Sequence, residues 1–364
     1  MVSLSRKEKS GIAIWAIILI AFYVIATAFA AMIVQNDKAD SKKRQSDRLN
    51  PFIQESGYIE TDSDMPSQEN ADSVKAGLYV DHIVDFSTKN TNWTVDFYIW
   101  FNWKNKDLQP GRTFQVINGE ILSRQLVDST YHENKYYVLY RVVTQITKFF
   151  DITRYPRDNH LLTISIEDSK HQWQNLKYIP EINTSDISSR VKLPGYKVTG
   201  DSMVSKPHPY RTNRGNPRLT AGSKIYYNQL IYGLSISRPN WGLYYKMFES
   251  LFASVAIALL VFFMNPQGDG RVSLGIGAFF AAVASSYITS SELPGIGILT
   301  LSDLVNILGM VTIFLSVLCS IIVMKIAENE EQLRLAKIFD KLSLVIFLIG
   351  YITANVVLAQ FASI

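Results

Sequence analysis

The residues best suited to do chemistry lie in one apolar run, residues 268–303, which reads GDGRVSLGIGAFFAAVASSYITSSELPGIGILTLSD. Asp269 and Arg271 stand near one end and Glu292 near the other. Between them Ser273, Gly277, Phe280, Ala284, Tyr287 or Ile288, and Ser291 recur at helical spacing, while Leu274, Ile276, Phe279 and Val283 fall off that line. A stripe of small and polar side chains broken by one aromatic suits a helix with one face toward water. It equally suits close packing, because small residues let membrane helices approach, and the stripe alone leaves both readings open. Bond-making chemistry has less support. No nucleophile comes with a plausible base, there is no Gly-rich phosphate loop, and no acids are paired at a useful spacing, so the chain does not read as an enzyme. His82, His132, His160, His171 and His208 lack metal-ligand spacing, which leaves metal binding unassigned, although a titrating histidine would sense pH.

The elements that must carry these residues follow from an uneven distribution of apolar side chains. The 364 residues are 48% hydrophobic with a formal charge of +4, too small and too scattered to suggest nucleic acid. The single cysteine, Cys319, lies in a hydrophobic run, which excludes an intrachain disulfide and a cysteine-based metal site. Residues 1–35 combine Arg6, Lys7 and Lys9 with an apolar run, and read either as a retained membrane anchor or as a signal peptide with an A-x-A pattern at Ala28-Phe29-Ala30. Residues 36–73 are polar and poor in aromatics and read as a linker.

From residue 74 the texture alternates. Strands are predicted at 77–86, 93–103, 113–118, 136–149, 160–167, 196–205 and 225–237, with residues 206–223, rich in Pro, Gly, Asn and Arg, as a long hairpin tip. Many short strands without an amphipathic helix pattern predict an all-β, immunoglobulin-like sandwich over residues 74–240. Residues 241–364 hold four apolar segments, 244–264, 272–290, 304–325 and 342–361, each close to the ~20 residues a spanning helix needs. Lys325, Arg334, Lys337 and Lys341 flank the third link, whereas residues 291–303 carry no Lys or Arg, which places the sandwich outside by the positive-inside rule. The expected fold is thus a multi-domain membrane protein, a β-sandwich followed by a four-helix transmembrane bundle, with an extra N-terminal hydrophobic helix.

Phe150-Asp151-Ile152-Thr153-Arg154-Tyr155-Pro156-Arg157-Asp158 resembles the signature loop of the pentameric ligand-gated ion channels. Residues 93–103 resemble that family's second strand, Arg238-Pro239 its basic residue before the first membrane helix, and Arg271-Val272-x-Leu274-Gly275-Ile276 with Leu293-Pro294 the two ends of its pore helix. Lys148 and Leu162 stand where animal members have their cysteine pair, as in prokaryotic members that lack it. The resemblance covers residues 74–364.

It implies a homopentamer in a bacterial inner membrane, with the sandwich in the periplasm and each subunit giving one helix to a central pore. The pore-lining positions become Asp269, Ser273, Gly277, Phe280, Ala284, Ile288 and Ser291. A ring of Asp269 carboxylates would favour monovalent cations, and five Phe280 rings would form a gate or a plug. The coupling parts become Asp85 and the loop after it, Tyr155, Pro156, Asp158, Arg238, Glu292, Leu293 and Pro294, with Asp158 and Arg238 paired. Trp173, Tyr210 and Tyr226 become candidates to line a site for a small ligand, a proton or a divalent ion; Arg211, Arg214 and Arg218 make the tip basic, which suits an anion or a solvated loop. Membrane lipid is the expected surrounding, and neither a cofactor nor nucleic acid is expected. The first membrane segment lacks the proline the family often has there, and Lys246 and Glu249 are charged near its outer end. A membrane-bound sensor that keeps the fold without conducting is the alternative.

Overall fold

The computed structural model describes residues 6–53, 65–217, 219–220, 223–291, 293 and 297–363. The chain begins with α1 (Arg6–Arg48). Then come β1 (Asp72–Ser87), β2 (Asn92–Trp103), the single turn α2 (Pro110–Thr113), β3 (Phe114–Val116), β4 (Gly119–His132), β5 (Lys135–Thr147) and β6 (Asn159–Asp168). After β7 (Leu176–Pro180), β8 (Asp186–Ile187), β9 (Lys197–Tyr210) and β10 (Ile225–Ser237) the chain turns helical: α3 (Gly242–Leu259), α4 (Gly270–Ser291), α5 (Leu301–Ala327) and α6 (Leu333–Ala362). Among the described residues five helices are long and apolar enough to cross a membrane. Two compact units result: Asp40–Asp151 with Asn159–Ser237, and Met1–Ala39 with Ile152–Asp158 and Arg238–Ile364.

In the strand unit one sheet runs β4-β5-β2-β1-β7 with β8 beside β1, and the other runs β3-β6-β10-β9. Alternation makes the first: Trp93, Val95, Phe97, Ile99, Phe101 and Trp103 of β2 are all buried on one face. Phe101 meets Phe114 of the other sheet at 5.4 Å, and the Asn228 side chain on β10 accepts from the Tyr178 amide of β7. Strands β6 and β10 are buried at almost every position, on both faces.

The second face is covered by the chain read as a polar linker. Helix α1 continues to Arg48 because residues 35–48 are mostly strong helix formers, with no Gly or Pro until Pro51; polarity there denies a core of its own but not a helix. Leu49 sits over Gly233, where any Cβ would lie 2.7 Å from it. Lys206 donates to the carbonyls of Asp47 and Ile53, and Arg48 to Ser165 Oγ. Two further strands depart from the sequence reading. The side chains of β4 are largely exposed, so it carries no hydrophobic alternation, and β7 is only five residues long. Strand β9 extends through Pro207 and Pro209 because it is a sheet edge, where proline breaks no ladder bond.

In the helical unit α1 runs parallel to α6. Trp15 stacks on Phe339, Tyr23 lies against Phe347 and over Gly350, and Lys38 Nζ donates to the Ser363 carbonyl. Tyr23 also shares a hydrogen bond with Thr312 of α5. Helices α3 and α4 are joined by Ser250 and Ser285 at 2.7 Å, and Gly275 of α4 admits Val317 of α5, 2.2 Å from where a Cβ would stand. A capping box between Thr300 and Asp303 starts α5.

Candidate functional site

Helix α4 is buried along one face and exposed over much of the rest, Ile276, Phe279 and Val283 included. Arg271, Gly275, Ala278, Ala282, Ser285 and Thr289 are buried against neighbouring helices. Asp269, Ser273, Gly277, Phe280, Ala284, Ile288 and Ser291 all lie exposed, with Phe280 at 68%. Tyr287 is exposed beside Ile288. Leu293 is half-buried, and Glu292 and Pro294 lie outside the described residues, as does Arg218 of the hairpin tip.

Arg271 has no exposure at all. Its Nη1 and Nη2 donate to the two carboxylate oxygens of Asp340 on α6, at 2.9 and 2.6 Å. Nε donates to Ser320 Oγ of α5 at 2.9 Å, and Nη1 also to the Met264 carbonyl at 3.1 Å. A planar guanidinium is suited to such a fork. The basic residue of this end therefore points into the helices, and Asp269 is the charge left on the exposed side. Asp340 is 69 positions away, and nothing in the local sequence names it as the partner.

The tip Ile152–Asp158, between β5 and β6, belongs to the helical unit. Asp158 Oδ1 lies 3.0 Å from Arg238 Nε, and Arg238 N donates to the Asp158 carbonyl at 3.3 Å. The Arg238 guanidinium also lies 5.1 Å from the Tyr155 ring centroid. The Tyr155–Pro156 peptide is cis. Arg157 donates to the Pro239 carbonyl and stacks on Trp241, while burial lowers its pKa. Leu301 N donates to the Thr153 carbonyl at 2.7 Å, and Ser302 Oγ to that of Tyr155. Arg154 Nε meets Asp37 of α1 at 3.3 Å. One short segment thus holds the starts of α3 and α5 and the side of α1. Asp85 is exposed near the end of β1 in the other unit, where Phe86 packs on Phe150.

Of the three candidate ligand residues, Trp173 and Tyr226 meet through a backbone bond of 2.8 Å, with Tyr226 in the core. Tyr210 does not join them. It pairs with Ile225, so its side chain emerges on the other face of the strand pair. There the fully buried Glu167 accepts from Tyr210 Oη at 2.8 Å and from Gln229 Nε2 at 2.9 Å, and contacts His208 Nδ1. Arg214 lies 3.6 Å over the Tyr210 ring, and burial, then Glu167, pushes the Tyr210 phenol up. Burial, with Arg48 nearby, brings Lys206 of β9 down to about 8, and Lys148, just past β5 of the other sheet, likewise to about 8. The Glu167 cluster was missed because its members come from three strands; the i, i+2 spacing of His208 and Tyr210 was the available signal.

Asp81, His82 and Asp96 also converge, close enough to hold a metal ion. Their carboxylates already have cations: Arg141 forks onto Asp96, which raises the Arg141 pKa further, and Arg190 contacts Asp81. Of the other histidines, His160 packs among Phe86, Phe150 and Tyr196, and His171 contacts Asp168. No family model matches the chain, and neither does any curated protein.

Proposed function

We propose that the chain is one subunit of a cation-selective, ligand-gated homopentameric channel, with the two sheets forming an immunoglobulin-like sandwich in the periplasm and α3–α6 a four-helix bundle in the inner membrane. The observation that carries this reading is the division of α4. Its small, polar stripe stays uncovered within the subunit, while the one basic residue at its start is consumed by Asp340. Five such helices would present Ser273, Gly277, Phe280, Ala284, Ile288 and Ser291 to a central axis, with a ring of Asp269 at the inner mouth. Bound ligand, proton or divalent ion in the strand unit would act through Asp158–Arg238 and the tip that grips α3 and α5.

The parallel packing of α1 on α6 supports a retained anchor. Five successive crossings require the first and last helices to run in the same direction, and a cleaved peptide has no need of a tyrosine fitted over Gly350. Reconstituted protein should pass monovalent cations under some condition in a panel of small ligands, pH values and Ca²⁺. A non-conducting sensor of the same fold is the second reading, favoured by the bulk of the exposed Phe280. Silence in every condition, with Phe280→Ala silent too, would favour the sensor; current restored by Phe280→Ala would make the ring a gate.

A further inference from the structure

Helix α1 buries one continuous stripe. Leu19, Tyr23, Ala30 and Val34 form its apolar half. Asp37, Ser41, Arg44 and Arg48 continue at the same three-to-four spacing, so the face does not change direction where its chemistry changes from apolar to polar. Three of these polar positions have long-range partners, and Ser41 between them is buried. Asp37 meets Arg154 at 3.3 Å, with the Arg154 side chain only 4% exposed. Arg44 meets Asp151 at 2.5 Å, and Arg48 reaches Ser165. Two turns of one helix therefore oppose two charges three residues apart on the segment that leads into and forms the tip. The signs alternate to match: acid on base, then base on acid. A membrane anchor alone needs no helix beyond the apolar stretch, and a tether alone needs no such register.

We propose that residues 37–48 of α1 form a positioning strut for the 151–158 tip, with Asp37 and Arg44 as the residues that hold it, so that the setting of α1 biases channel opening. This rests on the channel reading above. The tip is the part through which the strand unit would act, and a helix fixed to α5 and α6 by Tyr23 and Lys38 gives the membrane its own purchase on it.

The test uses the full chain, purified and reconstituted, as Asp37→Arg, Arg154→Asp and the double exchange, with Asp37→Asn as the milder variant if a reversal fails to fold. Amide exchange over residues 150–158 should rise about tenfold or more in each single variant and fall back in the double, because a nearly buried charge without its partner opens the segment. The activation midpoint should shift in the singles, with maximal current kept, and return in the double. Unchanged exchange in Asp37→Arg and Asp37→Asn would overturn the strut. So would faster exchange that the double does not reverse, and so would faster exchange with an unmoved midpoint. If neither wild-type protein nor Phe280→Ala passes current, the channel reading fails, and exchange still decides whether Asp37 holds the tip.

Discussion

The two units carry buried charge in different ways. In the helical unit Arg271 and Asp340 form an isolated, two-pronged pair, with Ser320 and the Met264 carbonyl taking the remaining donors. In the strand unit Glu167 is shared among His208, Tyr210 and Gln229, and Lys206 ends on backbone carbonyls. The guanidinium keeps its charge at any working pH, so the first arrangement fixes geometry. The second spreads one buried carboxylate over several donors and sets beside it a lysine that burial brings down to about 8, so it responds to pH through Lys206.

The sharpest way to break this contrast is to remove one partner of the helical pair. Asp340→Ala should cost about 3–5 kcal/mol by leaving Arg271 buried alone, seen as loss of the folded peak on size-exclusion chromatography. Arg271→Met with Asp340→Leu should recover that peak, since an apolar pair of similar volume is often neutral or better. Recovery failing there would mean that the pair does more than cancel its own charges. In the sheet the cost is spread over several donors. Glu167→Gln should cost about 1–3 kcal/mol in a denaturation curve, with His208 and Tyr210 losing a carboxyl oxygen between them. A loss as large as that of Asp340→Ala would erase the difference between the units.

An effect of similar size separates them by pH. Burial brings Lys206 from its ordinary 10.5 to about 8, so between those values the unfolded chain holds more protons than the folded one. Stability should therefore rise from about pH 8 to about pH 10.5, by on the order of 1–3 kcal/mol. Lys206→Met should flatten that rise in melts taken at pH 7.5 and 9.5, with Lys148, brought down to the same value, accounting for the slope that remains. The Arg271–Asp340 variants should leave the slope as it is. For the channel proposed above the smallest change expected is in selectivity: Asp269→Lys should move the reversal potential and leave stability within about 0.5 kcal/mol, because Asp269 is exposed. An unmoved potential would remove Asp269 from the inner mouth.

Much of the architecture was legible because it is local. Alternation in residues 93–103 and long apolar runs after residue 241 are periods a short window can hold. Strand β4 was not legible, since exposure on both faces leaves no period to read. The polar half of α1 was misread as a linker because composition reports whether a segment can bury itself, and here the burial surface comes from β6, β9 and β10. For the candidate site, the stripe on α4 could be traced residue by residue, but whether Arg271 shared it could not.

Periodicity alone was enough to read the apolar helices after residue 241, the alternating strands and the stripe through Asp269 and Phe280, and residues 150–158 were readable as a resemblance. Only the tertiary structure decided that Arg271 turns to Asp340, that Tyr210 faces Glu167 and away from Tyr226, and that Asp37 and Arg44 meet Arg154 and Asp151. The physical reason is one of range. Side-chain period is set by backbone geometry within a few residues, whereas the partner of a buried charge is chosen by which distant element packs beside it and in what register.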